Sequence, residues 1–275
     1  MALPLVASKR EALALRVLSA AVLAPLGVLA AWLGGPLLAG ITTVAAALMG
    51  WEWGRLTDRG RFGSSGMLIA ATVVAGVVLG AMGWAIAGIE VLAAGALARL
   101  FWPRDDPRAN LWAALGTFWI GGACVALLWL ASDPDIGRAT VLWLFALVWA
   151  TDSAAYFVGR WAGGPRLAPR WSPKKTWSGA LGGIAAAALV GVITANILGM
   201  PLLSSVFWIS MGLSVAAQVG DLAESAAKRR FGVKDTSGLI PGHGGLLDRL
   251  DGLLAALMAA AMLALARGAS PVMWS

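Results

Sequence analysis

Apolar stretches alternate with short polar segments along almost the whole of this chain of 275 residues. An apolar α-helix of about 20 residues is long enough to cross the hydrocarbon core of a bilayer. We predict nine such helices, although residues 67–89 could form a single span. The predicted spans are residues 17–33, 36–51, 67–80, 84–101, 111–131, 140–159, 179–199, 201–220 and 247–266. The pattern therefore predicts an all-α, polytopic integral membrane protein with about nine transmembrane helices.

The composition supports this prediction. Hydrophobic residues make up 59% of the chain and charged residues only 13%, whereas about 25% of the residues in an average soluble domain are charged. Cys124 is the single cysteine, so an intramolecular disulfide is excluded.

The basic residues fall mainly on one side of the predicted spans. With nine spans and a cytoplasmic N-terminus, only Arg138 and Arg267 of the 21 Lys and Arg residues lie on the outer side. Cytoplasmic segments near span ends collect Lys and Arg. This asymmetry predicts a cytoplasmic N-terminus, and the frequent Ala, Gly and Arg favour a bacterial cytoplasmic membrane. Because topology accounts for much of the net charge of +7, we expect no nucleic-acid partner.

Polar chemistry is concentrated in the C-terminal half of the chain. We divide the chain into an N-terminal region of about four spans, residues 1–110, and a C-terminal catalytic region, residues 111–275. The C-terminal region contains two long cytoplasmic loops, residues 160–178 and 220–246, at one face of the membrane.

The first of these loops is strongly basic and contains the segment SPKKTW, residues 172–177. Ser172 followed by Pro173 is a favourable start for the helix entering the seventh span. Lys174 and Lys175 would then lie at a helix N-terminus, which favours an anion. Positive charge required by topology alone is an alternative explanation of these two lysines.

The second loop and its flanking helices contain acids that topology does not require. Asp221 and Glu224 share one helix face at the end of the eighth span, and Asp248 and Asp251 repeat this spacing at the start of the ninth. Asp152 lies within the sixth span, where an acid is costly and commonly functional. Hard oxygen ligands of this kind favour Mg²⁺ or Mn²⁺ over Zn²⁺.

Between the paired acids lies a glycine-rich turn, PGHGG, residues 241–245. Glycines allow a close backbone approach, and successive N–H groups in such a turn can bind an anion. The only histidine, His243, lies between two of the glycines. The residues that we expect to bind a metal-bound polyphosphate here are Lys228, Arg229, Lys234, Arg249, His243, Gly242, Gly244 and Gly245.

The segment 225–251, SAAKRRFGVKDTSGLIPGHGGLLDRLD, resembles the signature of the phosphatidate cytidylyltransferases, or CDP-diacylglycerol synthases. We call it the signature segment. The resemblance extends to QVGDLAES at 218–225, SPKKTWSGALGG at 172–183 and DSAAYFVGR at 152–160. It therefore covers the C-terminal half well, and the N-terminal half only as apolar spans.

The resemblance implies that the chain transfers CMP from CTP to phosphatidic acid, with Mg²⁺ required, giving CDP-diacylglycerol and pyrophosphate. On that basis Asp221 and Asp248 are the first-choice metal ligands, with Asp251, Glu224 and Asp152 as further candidates. The triphosphate would be held by Lys228, Arg229, Lys234 and Arg249. Lys174 and Lys175 would hold the lipid phosphate.

Two other functions stay open at this point. A CTP-dependent kinase of a lipid alcohol would need the same metal and triphosphate elements. A transporter would use Asp152 and Glu90 as coupling-ion sites, but polar residues clustered at one face favour surface chemistry instead. The expected partners are CTP, phosphatidic acid and the bilayer; a homodimer is compatible with the sequence, which does not determine an oligomeric state.

Overall fold

The computed structural model describes residues 9–103, 106–199, 203–240, 242 and 244–267. These residues form nine α-helices and one two-stranded sheet. The elements are α1 (Lys9–Leu33), α2 (Gly35–Thr57), α3 (Ser64–Ala81), α4 (Ala85–Leu100), α5 (Pro107–Ala131), α6 (Gly137–Ala162), β1 (Arg166–Ala168), β2 (Ser172–Thr176), α7 (Trp177–Ile197), α8 (Leu203–Arg230) and α9 (Leu247–Ala266).

The predicted all-α membrane fold is confirmed. Each predicted span corresponds to one helix, and residues 67–89 form two helices rather than one. Within the described residues, six helices are long and apolar enough to cross a membrane: α3, α5, α6, α7, α8 and α9. Helix α4, with 16 residues, is shorter than these six. The fold is that of a multi-pass membrane protein.

The expected helix start at Ser172 and Pro173 is wrong. Residues 172–176 form strand β2, which pairs antiparallel with β1 in a short β-hairpin. Helix α7 begins only at Trp177, because the Thr176 side chain accepts a hydrogen bond from the Gly179 N–H and acts as the N-cap. Lys174 and Lys175 therefore lie on a strand instead of at a helix N-terminus.

Two helices continue beyond their predicted spans into the polar region. Helix α8 runs to Arg230, past the predicted span end at residue 220, so the connection to α9 is residues 231–246, which we call the α8–α9 loop. Helix α2 runs to Thr57, past the predicted end at residue 51. Charged residues can extend a helix out of the apolar layer, and hydropathy alone does not detect such an extension.

Helix α5 lies at the centre of the packing. It contacts α2, α3 and α4 on one side and α6 and α9 on the other, while α6, α7, α8 and α9 pack in sequence order. Small residues permit close helix approach, as is common in membranes. A Cβ at Gly220 of α8 would lie only 2.9 Å from the Asp251 carbonyl oxygen of α9. The two acid-bearing helix ends are therefore held close together.

Polar groups inside the bundle are paired across helices. The Thr151 hydroxyl donates to Ser214 Oγ at 2.9 Å, joining α6 to α8. The Trp143 indole N–H donates to the Gly191 carbonyl at 2.9 Å, joining α6 to α7. Such bonds satisfy groups that lipid cannot. They fix α6, α7 and α8 as the scaffold of the polar end described next.

Candidate active site

Polar residues converge where the ends of α6, α8 and α9 meet the β-hairpin and the α8–α9 loop. Three acids from three helices, Asp152, Asp221 and Asp251, interact electrostatically with one another; we call them the acidic cluster. Lys175 of β2 forms an ion pair with Asp221, whose side chain remains 31% exposed. The guanidinium of Arg249 also lies within electrostatic reach of Asp152. The cluster thus combines carboxylates and cations at one end of the bundle.

A second group of charges is buried deeper. The Lys228 ammonium forms an ion pair with the fully buried Glu224, one helical turn before it on α8. Its Nζ also donates to Asp248 Oδ1 of α9 at 2.7 Å. One cation therefore bridges two carboxylates on two helices. Burying these acids without that cation would cost several kcal/mol, of the order of 3 to 5.

The other oxygen of Asp248 holds the α8–α9 loop. Asp248 Oδ2 accepts hydrogen bonds from Thr236 N at 2.9 Å, Thr236 Oγ1 at 3.0 Å and Gly245 N at 2.7 Å. Both oxygens are thus engaged by protein donors. Asp248 joins the middle of the loop, at Thr236, and its end, at Gly245, to the Lys228 bridge. Its predicted role as a metal ligand stays a prediction.

The remaining predicted residues lie around these two groups. Arg229 donates to the carbonyls of Trp171 and Val233, which connects the end of α8 to the β-hairpin and to the loop. Lys174, Lys234 and Arg249 are exposed, in positions open to a solute. Their phosphate-binding roles stay predictions.

The glycine-rich turn is only partly described. Gly242 and Gly244 both have positive φ, 76° and 89°, as a glycine-specific turn requires. Gly244 pairs with Ile240 through two backbone hydrogen bonds of 2.8 and 3.1 Å. His243, predicted to contact phosphate, lies outside the described residues.

An arginine-rich cavity of about 850 Å³ lies beside the α8–α9 loop. Its lining includes Arg55 in the last turn of α2, Arg59 and Arg61 just after α2, and Arg230 and Thr236. The Arg230 guanidinium is paired with Asp106 at 2.7 Å. Partial desolvation opposes ionisation of Asp106, but the hydrogen bonds from Arg230 and from the Ala109 N–H outweigh it and lower the pKa of this carboxyl. The cavity is large enough for a nucleotide-sized ligand.

An apolar groove of about 800 Å³ lies between α4, α5, α8 and α9. Its lining combines aromatic residues of α5 with small residues of α8 and α9, such as Trp112, Ala216 and Ala259. Gly220, which precedes Asp221 of the acidic cluster, lines the same groove. An apolar surface therefore leads along the bundle to the acids.

Glu52 of α2 was missed by the sequence analysis. It is fully buried and accepts hydrogen bonds from residues of the signature segment. Because the predicted second span ends at residue 51, Glu52 falls in a cytoplasmic segment, where an acid is common. Glu90, the coupling-ion candidate of the transporter alternative, is exposed on α4. An acid directly after an apolar run was the signal that could have found Glu52.

The acids of the site are candidate ligands for a metal ion. Among the described residues, no group of three His, Cys, Asp or Glu side chains is arranged to hold a metal as it stands. Mg²⁺, however, commonly takes one or two carboxylates and completes its shell with water and substrate phosphate oxygens. The acidic cluster supplies hard oxygen donors of that kind, and Asp221 is accessible. These residues fit a Mg²⁺ that binds together with a phosphate substrate.

Comparison with known proteins places this chain in a family. The model of the cytidylyltransferase family matches residues 14–266. The phosphatidate cytidylyltransferase of Brucella suis is 42% identical over 245 residues, which cover 88% of this chain and 89% of that protein. Proteins of the same name from Haemophilus influenzae and Bacillus subtilis are each 38% identical, over 63% and 51% of this chain and 62% and 52% of their own length. With the matched region running from α1 to the end of α9, this chain belongs to the cytidylyltransferase family.

Proposed function

We propose that this chain is a CTP:phosphatidate cytidylyltransferase of a bacterial cytoplasmic membrane, with its N-terminus in the cytoplasm. The observation that carries the proposal is the convergence of the acidic cluster, the basic β-hairpin and the signature segment at one end of a membrane-spanning bundle. The names of the relatives support the same activity. Positive charge near span ends supports the orientation.

The reaction joins two anions. A phosphate oxygen of phosphatidate forms a bond to the α-phosphorus of CTP, and the bond from that phosphorus to the β-phosphate oxygen breaks, which releases pyrophosphate. The attacking oxygen is already ionised near neutral pH, so a general base is not needed to remove a proton from it. The residues therefore act mainly by positioning and by neutralising charge.

Each part of the site has a role in this proposal. The acidic cluster, led by Asp221, would hold Mg²⁺, which when bound stabilises negative charge on phosphate oxygens. We assign the exposed cations Lys234 and Arg249 to the triphosphate, and the exposed Lys174 to the lipid phosphate. Lys175 is already close to Asp221, so it can move between that carboxylate and an incoming phosphate.

The test uses protein purified in detergent and mixed with CTP, phosphatidate and Mg²⁺. We expect equimolar pyrophosphate and CDP-lipid only when all three are present. A parallel mixture contains a lipid alcohol in place of phosphatidate, and formation of CDP with the phosphorylated alcohol there would instead identify a lipid-alcohol kinase. No turnover of CTP by folded protein would refute the proposed activity.

The apolar groove is proposed to receive the acyl chains of phosphatidate, since it runs along the bundle to Gly220 beside the acidic cluster. Replacing Ala259 with Trp would fill part of it. We expect KM for a long-chain phosphatidate to rise roughly tenfold, consistent with losing one or two kcal/mol of apolar contact, whereas a short-chain phosphatidate keeps its kinetics. The Leu189→Trp control, on an exposed position of α7, should change neither. Equal effects on both lipids would contradict the assignment.

A further inference from the structure

Glu52 connects the N-terminal helices to the signature segment, although the residues it contacts are 185 to 195 positions away in sequence. Its Oε1 accepts from Ser237 Oγ at 2.6 Å and from Leu246 N at 2.9 Å. Its Oε2 accepts from Leu247 N at 2.8 Å. The Glu52 side chain is fully buried, and both of its oxygens accept hydrogen bonds from the α8–α9 loop or from the first residue of α9.

These contacts cap the N-terminus of α9, whose own N-cap residue provides no side-chain hydrogen bond. Leu246 is the N-cap residue of α9 and provides no side-chain cap. The first N–H groups of a helix have no partner within the helix, and a carboxylate near them is favoured by the helix dipole. Glu52 supplies that carboxylate from another helix, through charge-assisted hydrogen bonds.

Glu52 and Asp248 hold adjacent residues at two points of the α8–α9 loop. In the middle of the loop, Thr236 donates to Asp248 and Ser237 donates to Glu52. At the end of the loop, Gly245 donates to Asp248 and Leu246 donates to Glu52. The positions of Gly242 and Gly244, which lie between these two points, therefore depend on both carboxylates.

The loop is tightly packed at Gly245, close to the start of α9. A Cβ added to Gly245 would lie 2.6 Å from Glu52 Oε1, closer than a Cβ normally approaches another atom. The glycine therefore allows the loop backbone to approach the Glu52 carboxylate directly. A shift of Glu52 would be transmitted to Gly245, whose N–H binds Asp248.

We propose that Glu52 is a positioning residue for catalysis, which acts by fixing the α8–α9 loop and the start of α9 relative to the acidic cluster. This inference rests on the proposed cytidylyl transfer. It also connects the N-terminal helices to the reaction through the loop, because α2 contributes one of the two carboxylates that fix the loop. Misplacing reacting groups by about 1 Å can cost roughly 100-fold in rate.

The test compares Glu52→Gln, Glu52→Asp and the control Glu90→Gln. Glutamine keeps the size but places an amide N–H₂ against backbone donors. We expect kcat to fall by about 10- to 100-fold with much smaller changes in KM, with partial recovery in Glu52→Asp, which keeps the charge. Glu90→Gln, an exposed acid in the same half, should behave as the unmodified protein.

A second readout does not depend on activity. Amide hydrogen exchange of the detergent-solubilised protein should show faster exchange at Leu246 and Leu247 in Glu52→Gln, with the α5 core unchanged. If the unmodified protein made no CDP-lipid, the proposed function would fail, but exchange at these amides would still test whether Glu52 holds the loop.

Three outcomes would overturn the inference. One is an unchanged kcat in Glu52→Gln, and another is unchanged exchange at Leu246 and Leu247. The third is a loss of activity that only follows the loss of folded protein, with Glu52→Asp no better than Glu52→Gln. If Glu52→Gln does not fold, Ser237→Ala removes one of the three contacts. We expect it to fold and to lose several-fold in kcat, and an unchanged kcat would then reject the proposal.

Discussion

Replacing Lys228 with Met is expected to destabilise the protein by about 3 to 5 kcal/mol and to abolish activity. The ammonium of Lys228 is the cation shared by Glu224 and Asp248, whose side chains are 0% and 3% exposed. Without it, two buried carboxylates face each other with no counter-charge. Asp248 would then shift or take up a proton, and its hydrogen bonds to Thr236 and Gly245 would be weakened.

The single cysteine provides a way to measure this loss. Cys124 is 3% exposed in α5, so a thiol-reactive dye reports unfolding as the detergent-solubilised protein is heated. The matched stability control is Lys234→Met, which removes an exposed lysine of the same loop region and should leave the unfolding temperature nearly unchanged. A Lys228→Met protein as stable as that control would contradict the bridge.

The second large effect is expected for Asp221→Asn, with activity falling by at least about 100-fold. Its carboxylate is 31% exposed and interacts electrostatically with both other acids of the cluster, which makes it the first-choice Mg²⁺ ligand. Stability should change by no more than about 1 kcal/mol, because the ion pair with Lys175 is partly exposed. Activity measured over a range of Mg²⁺ concentrations, together with the dye assay, separates these two effects.

Two further variants make this prediction specific. Asp135→Asn changes an exposed acid at the opposite end of α6 and should leave activity unaltered. In the double variant Lys175→Met and Asp221→Asn, activity should stay low. Recovery of activity in the double variant would show that Asp221 merely neutralises Lys175, and the metal assignment would be rejected.

The apolar pattern predicts the helices well because a bilayer imposes a length and a hydropathy on each span. It fails where helices leave the apolar layer. The extensions of α2 to Thr57 and of α8 to Arg230 depend on tertiary contacts, and so does the strand at residues 172–176. Ser172 and Pro173 have the local chemistry of a helix start, but Thr176 provides the cap that the structure uses.

Sequence spacing predicts which helix carries each acid of the candidate site, but not the surroundings of those acids. The i,i+3 spacing of Asp221 and Glu224 correctly places both on one helix, but it does not show that they belong to different environments. Glu224 is buried against Lys228, whereas Asp221 faces Lys175. Glu52 could not be assigned from local spacing, because its partners are nearly 200 residues away and only the fold brings them together.

The most direct test of the proposed function follows the two ends of the CTP triphosphate. Purified protein is supplied with phosphatidate, Mg²⁺ and CTP labelled either at the α-phosphorus or at the γ-phosphorus. We expect the α-label to enter the lipid and the γ-label to leave as pyrophosphate. A γ-label transferred to the lipid fraction, with the α-label remaining in CDP, would contradict cytidylyl transfer.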